Sequence, residues 1–238
     1  MSVLGRVARS VHPGLRKVHA QVARYAAEWE SANGVALKGA GPLWVVLGDS
    51  TAQGIGAPSR DEGYVGQLRR ALDAGSERGW RVLNLSRSGA RAVDVVDRQL
   101  PALEALSAVA DLVTCAIGAN DIVRRTPEPV LEARLRAILA RLPVGAVIAT
   151  LPQGLSAART EAANRVIRAG APAAGLVVAD VWAHTGPPWH GKLAADGFHP
   201  GALGYADWAT AFAEVLDLAL AMPPPEPEGP LHTSGSHD

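Results

Sequence analysis

The sequence predicts an α/β protein, a three-layer α/β/α sandwich around a five-stranded parallel sheet. Two observations predict it. Five short apolar runs recur along the chain, at residues 43–47, 81–85, 112–117, 146–151 and 175–179. Helical patterns lie between them, at residues 63–74, 92–106, 129–142 and 157–171. Apolar runs without polar alternation fit strands covered on both faces. Helices between successive strands imply right-handed crossovers. The expected strand order is 2-1-3-4-5, a flavodoxin-like arrangement.

Composition sets the outer bounds. The chain has 238 residues, enough for one domain with a substantial core. Lys plus Arg and Asp plus Glu both number 23, so the net charge is zero and no basic field invites nucleic acid. The one cysteine, Cys115, lies in an apolar run, so no internal disulfide can form and a small core residue is expected. No apolar run reaches the roughly 18 residues of a membrane span. Arg6 and Arg9 interrupt the amino terminus before a signal core can develop. The expectation is a soluble, cytoplasmic protein. Ala/Arg/Gly-rich usage suggests a bacterial source with a GC-rich genome. The sequence has no internal repeat.

The elements follow in order. Within residues 1–40, Leu4, Val7, Val11, Leu15, Val18, Val22, Tyr25 and Trp29 recur at steps of three and four, one apolar helical stripe. Pro13-Gly14 is expected to divide it and Asn33-Gly34 to stop it. The favoured reading is a helix docked on the domain. The alternatives are a peripheral membrane helix over residues 4–29 or a lid beside the active site. Residues 41–222 form the expected domain, closed by a helix over residues 201–222. Residues 223–238 are Pro-rich and polar and read as a disordered tail. His232 and His237 belong to that tail and are not metal-ligand candidates.

Chemistry concentrates where strands stop. The first apolar run ends abruptly at Gly48-Asp49-Ser50. Open α/β sheets place ligands at that carboxyl edge. A serine hydroxyl needs a base to take its proton, and His199 is the best candidate. Asp196, three residues earlier, can fold back to one ring nitrogen while the other faces a substrate. Ser…Asp…His is one of several chain orders in which this constellation recurs. Residues 86–90 follow the second run and Gly118-Ala119-Asn120-Asp121 the third, at the same edge. Gly89 lets a backbone N–H approach a ligand, and Asn120 offers an uncharged NH₂ donor. Each feature alone reads as ordinary turn or helix-start chemistry. Their placement along one sheet edge is what favours a site.

These residues carry a resemblance. Gly48-Asp49-Ser50-Thr51-Ala52-Gln53-Gly54 is similar to the first block of the GDSL-type, or SGNH, hydrolases. Gly89 matches their second block, Gly118-Ala119-Asn120-Asp121 the third, and Asp196-Gly197-Phe198-His199 the last, over roughly residues 42–220. Four blocks in order are a specific signal. Thr51 and Gly201 depart from residues common in the family. The resemblance implies an α/β/α fold and metal-free ester hydrolysis. It implies a catalytic triad of Ser50, Asp196 and His199. It also implies an oxyanion hole of the Ser50 and Gly89 N–H groups and the Asn120 side chain.

Rival readings are weaker. A dinucleotide site would need a third glycine after Gly54-Ile55-Gly56 and an acid after the second strand, where Ser86 and Arg87 stand. His184, His190, Asp196 and His199 match no compact zinc spacing. A non-catalytic binding module on the same fold is the third rival. The expected function is a serine esterase or lipase-like acyl hydrolase acting on a small-molecule ester, with no cofactor and no metal. An acyltransferase using the same residues is the alternative. Trp182, Trp189 and Leu193, beside Pro187 and Pro188, are the candidate apolar substrate pocket. Asp49 and Asp121 are expected to order their loops.

Overall fold

The computed structural model describes residues 13–220. Leu4, Val7 and Val11 of the expected amino-terminal stripe, and the tail over residues 223–238, lie outside the described residues. Within them a five-stranded sheet has the order β2-β1-β3-β4-β5, every pairing parallel. The strands are β1 (Leu43–Gly48), β2 (Arg81–Asn84), β3 (Leu112–Ala116), β4 (Val147–Ala149) and β5 (Val177–Ala179).

Strand β1 is buried at all six positions, as its unbroken apolar run requires. Its side chains alternate between two cores. Trp44 and Val46 face one, and Leu43, Val45 and Leu47 face the other. The first core is closed by α1 (Pro13–Ala36), α2 (Tyr64–Ala74) and the last helix, α8 (Ala202–Leu216). Tyr64, Trp208 and Phe212 stack there, with ring centroids 5.6 and 5.1 Å from Tyr64. The second core is closed by α3 (residues 92–104), α5 (Glu128–Arg141) and α6 (Ala157–Ala173). The short helices α4 (Ala119–Val123) and α7 (Val181–His184) follow β3 and β5.

Two boundaries differ from the sequence expectations. The expected division of the stripe at Pro13-Gly14 falls at the edge of the described residues; within them helix α1 begins at Pro13, a first-turn position where proline gives up only an N–H that has no intrahelical acceptor. Gly14 lies against the Ala195 backbone, where any Cβ would collide. That glycine serves a close approach. Helix α1 also runs past Asn33-Gly34 to Ala36. The Asn33 amide pairs with the backbone of edge strand β2 instead, accepting from Asn84 N–H and donating to Asn84 C=O, both at 2.8 Å. Helix α8 ends at Leu216, not near residue 222. Asp217 takes a left-handed backbone (φ 52°), which Asp tolerates better than most residues and which closes the helix.

Helix α1 also grips the loop that follows β1. Tyr25 and Trp29 are buried in the first core. Gln21 accepts from Gly56 N–H at 2.8 Å and donates to Ala57 C=O at 2.9 Å. Tyr25 Oη donates to Ala57 C=O, and Trp29 Nε1 donates to Gln53 C=O. No helix among the described residues is long and apolar enough to cross a membrane.

Candidate active site

Strand β1 ends at Gly48, whose φ of +153° and whose contact with Ala116 leave no room for a Cβ. The turn after it is held from four sides. Gln99 Oε1 accepts from Gly48 N–H, and Gln99 Nε2 donates to Gly48 C=O, both at 2.8 Å. Gln99 belongs to a π-helical widening of α3 (Val95–Gln99). Asp49 Oδ1 accepts from the Thr51 N–H and hydroxyl at 2.9 Å. Ile55 N–H donates to Ser50 C=O at 3.0 Å, closing the turn. Asn84 Nδ2 donates to Ala52 C=O at 2.8 Å. Ser50 is left 7% exposed at the sheet edge.

The loop after β2 is laced to this turn. Gln53 Nε2 donates to Ser86 C=O, and Ser88 Oγ donates to Gln53 Oε1 at 2.6 Å. Gly89 adopts φ +77°. Neither the Ser50 N–H nor the Gly89 N–H finds an acceptor among the described residues. After β3, Gly118 (φ +119°) starts α4 and presents Asn120. Asn120 Nδ2 donates to Ala90 C=O at 3.0 Å and to Asp49 Oδ2 at 3.2 Å. Asp121 is fully buried. It accepts from Ala92 N–H at 2.7 Å and the Thr126 hydroxyl at 2.9 Å, with Arg134 at 3.7 Å.

The segment between α7 and α8 brings up the remaining groups. His199 Nε2 lies 3.0 Å from Ser50 Oγ. His199 Nδ1 lies 2.6 Å from Asp196 Oδ2. Asp196 Oδ1 accepts from the Phe198 and His199 N–H groups, both at 3.0 Å. Burial alone would raise the Asp196 pKa, but these three hydrogen bonds outweigh it and hold the carboxyl below its ordinary value. Asp49 behaves oppositely. Burial raises its pKa, and the bonds from Thr51, with smaller help from His199 and Asn120, offset this only in part. Burial pushes the Cys115 thiol up to about 12, so it is an inert core residue.

A cavity of about 280 Å³ opens beside Ser50 and His199. Leu155, Trp189, Leu193, Phe198 and Trp208 give it an apolar lining. Of the expected pocket residues, Trp189 and Leu193 line it. Trp182, Pro187 and Pro188 do not. The Trp182 backbone instead ties two loops, its N–H to Thr150 Oγ1 and its C=O to Gln153 Nε2. Sequence reasoning missed Leu155, Phe198 and Trp208, which converge only through the fold. It missed Gln21, Gln53 and Gln99 too, whose amides reach backbone groups far away in the chain. No three potential metal ligands cluster among the described residues. His184 contacts Asp180 C=O and Glu214, away from the triad candidates.

Comparison with known proteins adds a family and a set of folds. Residues 46–206 match the model of the GDSL-like lipase/acylhydrolase family. Among curated proteins none matches at a significant level. Among solved structures the chain is similar to TesA, with 26% identity and a TM-score of 0.63 over 73% of this chain and 97% of that one. It is similar to LAE5, an α/β hydrolase enzyme from the metagenome of Lake Arreo, Spain, with 26% identity and a TM-score of 0.59 over 77% and 98% of the two chains. Axe2, an acetylxylan esterase from Geobacillus stearothermophilus, shares the fold at 22% identity and a TM-score of 0.57, over 75% and 95%.

Proposed function

Because the chain belongs to the GDSL-like lipase/acylhydrolase family, we propose that it hydrolyses carboxylic esters through an acyl-enzyme on Ser50. One observation carries the reading: the unbroken chain from Asp196 Oδ2 to His199 Nδ1 at 2.6 Å and from His199 Nε2 to Ser50 Oγ at 3.0 Å. His199 takes the Ser50 proton as Oγ attacks the ester carbonyl, then gives it to the leaving alcohol. A water attacks the acyl-enzyme by the same route in reverse. Asp196 stays ionised, orients the ring and stabilises the imidazolium.

The oxyanion is held by the Ser50 and Gly89 N–H groups, which lack other acceptors among the described residues. Asn120 joins them by exchanging its longer contact, 3.2 Å to Asp49, for the developing charge. The bond to Ala90 keeps the amide in place meanwhile. The acyl chain occupies the apolar hollow, and its 280 Å³ suits short to medium chains.

A fluorophosphonate probe and p-nitrophenyl esters of graded chain length test this. The parent is expected to be labelled and to turn over. Ser50→Ala is expected to do neither while keeping the parent's circular dichroism. Equal labelling of both proteins would remove Ser50 from its role.

A further inference from the structure

An oxyanion hole works only if its donors converge on one oxygen, and the three proposed donors stand on three separate segments. The Ser50 N–H follows β1, the Gly89 N–H follows β2 and the Asn120 amide follows β3. Hydrogen bonding between neighbouring strands fixes the roots of these segments, not their crests. The last ladder bond beside β2 is Arg87 N–H to Gly48 C=O at 3.2 Å, on a carbonyl that also accepts from Gln99. Gly89 lies beyond that bond, in a turn closed by Ala90 N–H to Arg87 C=O at 3.0 Å. Its φ of +77° suits the third position of such a turn. Packing does little for this crest. Ser88 and Gly89 are only half-buried, and a Cβ on Gly89 would meet a single atom within 4 Å, Arg124 Nη2 at 3.5 Å.

One side chain crosses from the serine turn to the crest. The other polar side chains of that turn are turned elsewhere: Asp49 to Thr51 and Asn120, and Ser50 to His199. The Gln53 carboxamide uses both its ends on the loop after β2. Its Oε1 accepts from Ser88 Oγ at 2.6 Å, and its Nε2 donates to Ser86 C=O at 3.1 Å. It thereby brackets Arg87 and holds the residue next to Gly89. The near end of this tie is firm. Gln53 is 4% exposed, and its C=O accepts from Trp29 Nε1 of α1 at 3.2 Å. The far end reaches a third donor. Ala90 C=O, next to Gly89, accepts from Asn120 Nδ2 at 3.0 Å, so a shift of the crest moves Asn120 as well. Gln53 does not line the hollow, so it has no part in holding the acyl chain.

We infer that Gln53 is a positioning residue of the oxyanion hole. Its carboxamide sets the span between the Ser50 and Gly89 N–H groups and, through Ala90, the aim of Asn120. The inference rests on the acyl-hydrolase reading of Ser50 and adds a residue that touches neither substrate nor reacting atoms. Donors held slightly out of place lose part of their grip on charge that develops only in the transition state. Binding of the uncharged ester in the hollow is left as it was.

Two variants form the test. Gln53→Met keeps the buried volume and removes both bonds, and Ser88→Ala removes one of them from the half-exposed side. Each is assayed with p-nitrophenyl hexanoate and with pentylboronic acid. The boron of that probe bonds to Ser50 Oγ as the serine proton passes to His199, leaving an anionic boronate in the hole. Gln53→Met is expected to lower kcat by about 10–100-fold, short of the loss of a whole donor, with KM within about threefold of the parent. The Ki of the boronic acid is expected to rise by a similar factor. The pH dependence of kcat/KM is expected to match the parent's, because the chain from Asp196 to Ser50 is untouched. Ser88→Ala is expected to show part of the same loss, and the double variant no more than Gln53→Met alone, since both act through one tie. Should Gln53→Met fail to fold, Ser88→Ala carries the test by itself. Unchanged kcat in the folded variants overturns the inference. A lower kcat with parent-like boronic acid binding also overturns it, as does a displaced pH profile, which would trace the loss to the base. A parent that neither turns over the ester nor is labelled at Ser50 by fluorophosphonate overturns the underlying reading instead.

Discussion

The proposed nucleophile and its base come from regions built in opposite ways. Ser50 sits on a turn made of core: Asp49 is 2% exposed, Thr51 9% and Ala52 0%. Amides from three distant elements, Gln21, Asn84 and Gln99, fix its backbone. His199 sits on a segment with almost no core of its own, where Trp189, Leu193 and Phe198 are all at least 37% exposed. A few contacts hold that segment. Ala194 N–H donates to His199 C=O at 2.8 Å, Gly201 N–H donates to Lys192 C=O at 2.8 Å, and Lys192 pairs with Asp207 at 2.8 Å. Gly56, from the rigid side, packs against His199 Cβ and the Pro200 carbonyl. The difference teaches that one side of the site is set by folding itself. The other is set by a handful of local contacts, and substitutions there change geometry more cheaply than stability.

The largest expected effect removes the link between the two regions. His199→Ala is expected to lower kcat by up to about 10⁶ with little change in Tm. Asp196→Asn is expected to cost up to about 10⁴. The double variant is expected to be no slower than His199→Ala, because both act through one proton transfer. Fully multiplicative losses in single-turnover assays would mean the pair does not act as a unit. Next comes the rigid side. Gln99→Leu strips partners from the buried Gly48 N–H and C=O, at about 1–3 kcal/mol for each group. The expected result is a Tm lower by roughly 5–20 °C. A Tm within about 2 °C of the parent would show that the turn relaxes onto other partners.

The same contrast explains what the sequence discloses. The strands are readable because each centres on a short apolar run, most fully in β1, which is buried at every position. Ser50, Gly89, Asn120, Asp196 and His199 are readable because they punctuate the ends of those runs or stand in a short local block. The Gln99–Gly48 pair spans 51 residues and has no local mark. The hollow is misread at Trp182 because a cluster of tryptophans in sequence says nothing about which way a short helix turns them.

Smaller effects come from the contact between the regions. Gly56 (φ +104°) has His199 Cβ 2.8 Å from where its own Cβ would stand. Gly197 (φ +67°), inside the Asp196–His199 step, has nothing within 4 Å. Alanine at Gly197 costs only the backbone strain, about 1–2 kcal/mol. Alanine at Gly56 carries a similar strain and in addition pushes on the base. The Pro200 carbonyl stands closer still, so Gly56→Ala is expected to lower both kcat and Tm well beyond Gly197→Ala. Equal kcat in the two variants would show that the His199 segment follows its neighbour without losing alignment.

The smallest effect lies where the loosely held segment leaves the sheet. His184 Nδ1 meets Asp180 C=O, and Nε2 lies 3.0 Å from Glu214 of α8, so one imidazole ties α7 to α8. Burial alone would lower the His184 pKa. The bonds to the Asp180 carbonyl and the Glu214 carboxylate outweigh that and raise it, with a further contribution from the Asp180 charge, itself shared with Arg168. A group whose folded pKa is raised adds stability that is complete below its unfolded pKa, about 6.5 for histidine. That stability is lost as pH rises through the higher folded value. Glu214 is mostly exposed, so solvent screens the pair and the effect is small. Glu214→Gln is expected to lower Tm by about 1–2 °C near pH 6. The difference is expected to vanish by about pH 8–9, once the imidazole is neutral. Turnover of a p-nitrophenyl ester is expected to stay at the parent's level throughout, since neither residue touches the reacting groups. A Tm difference that persists unchanged to pH 9 would mean that the contact between α7 and α8 does not depend on the imidazolium charge. The base-bearing segment would then be anchored by packing at its start, as the serine turn is.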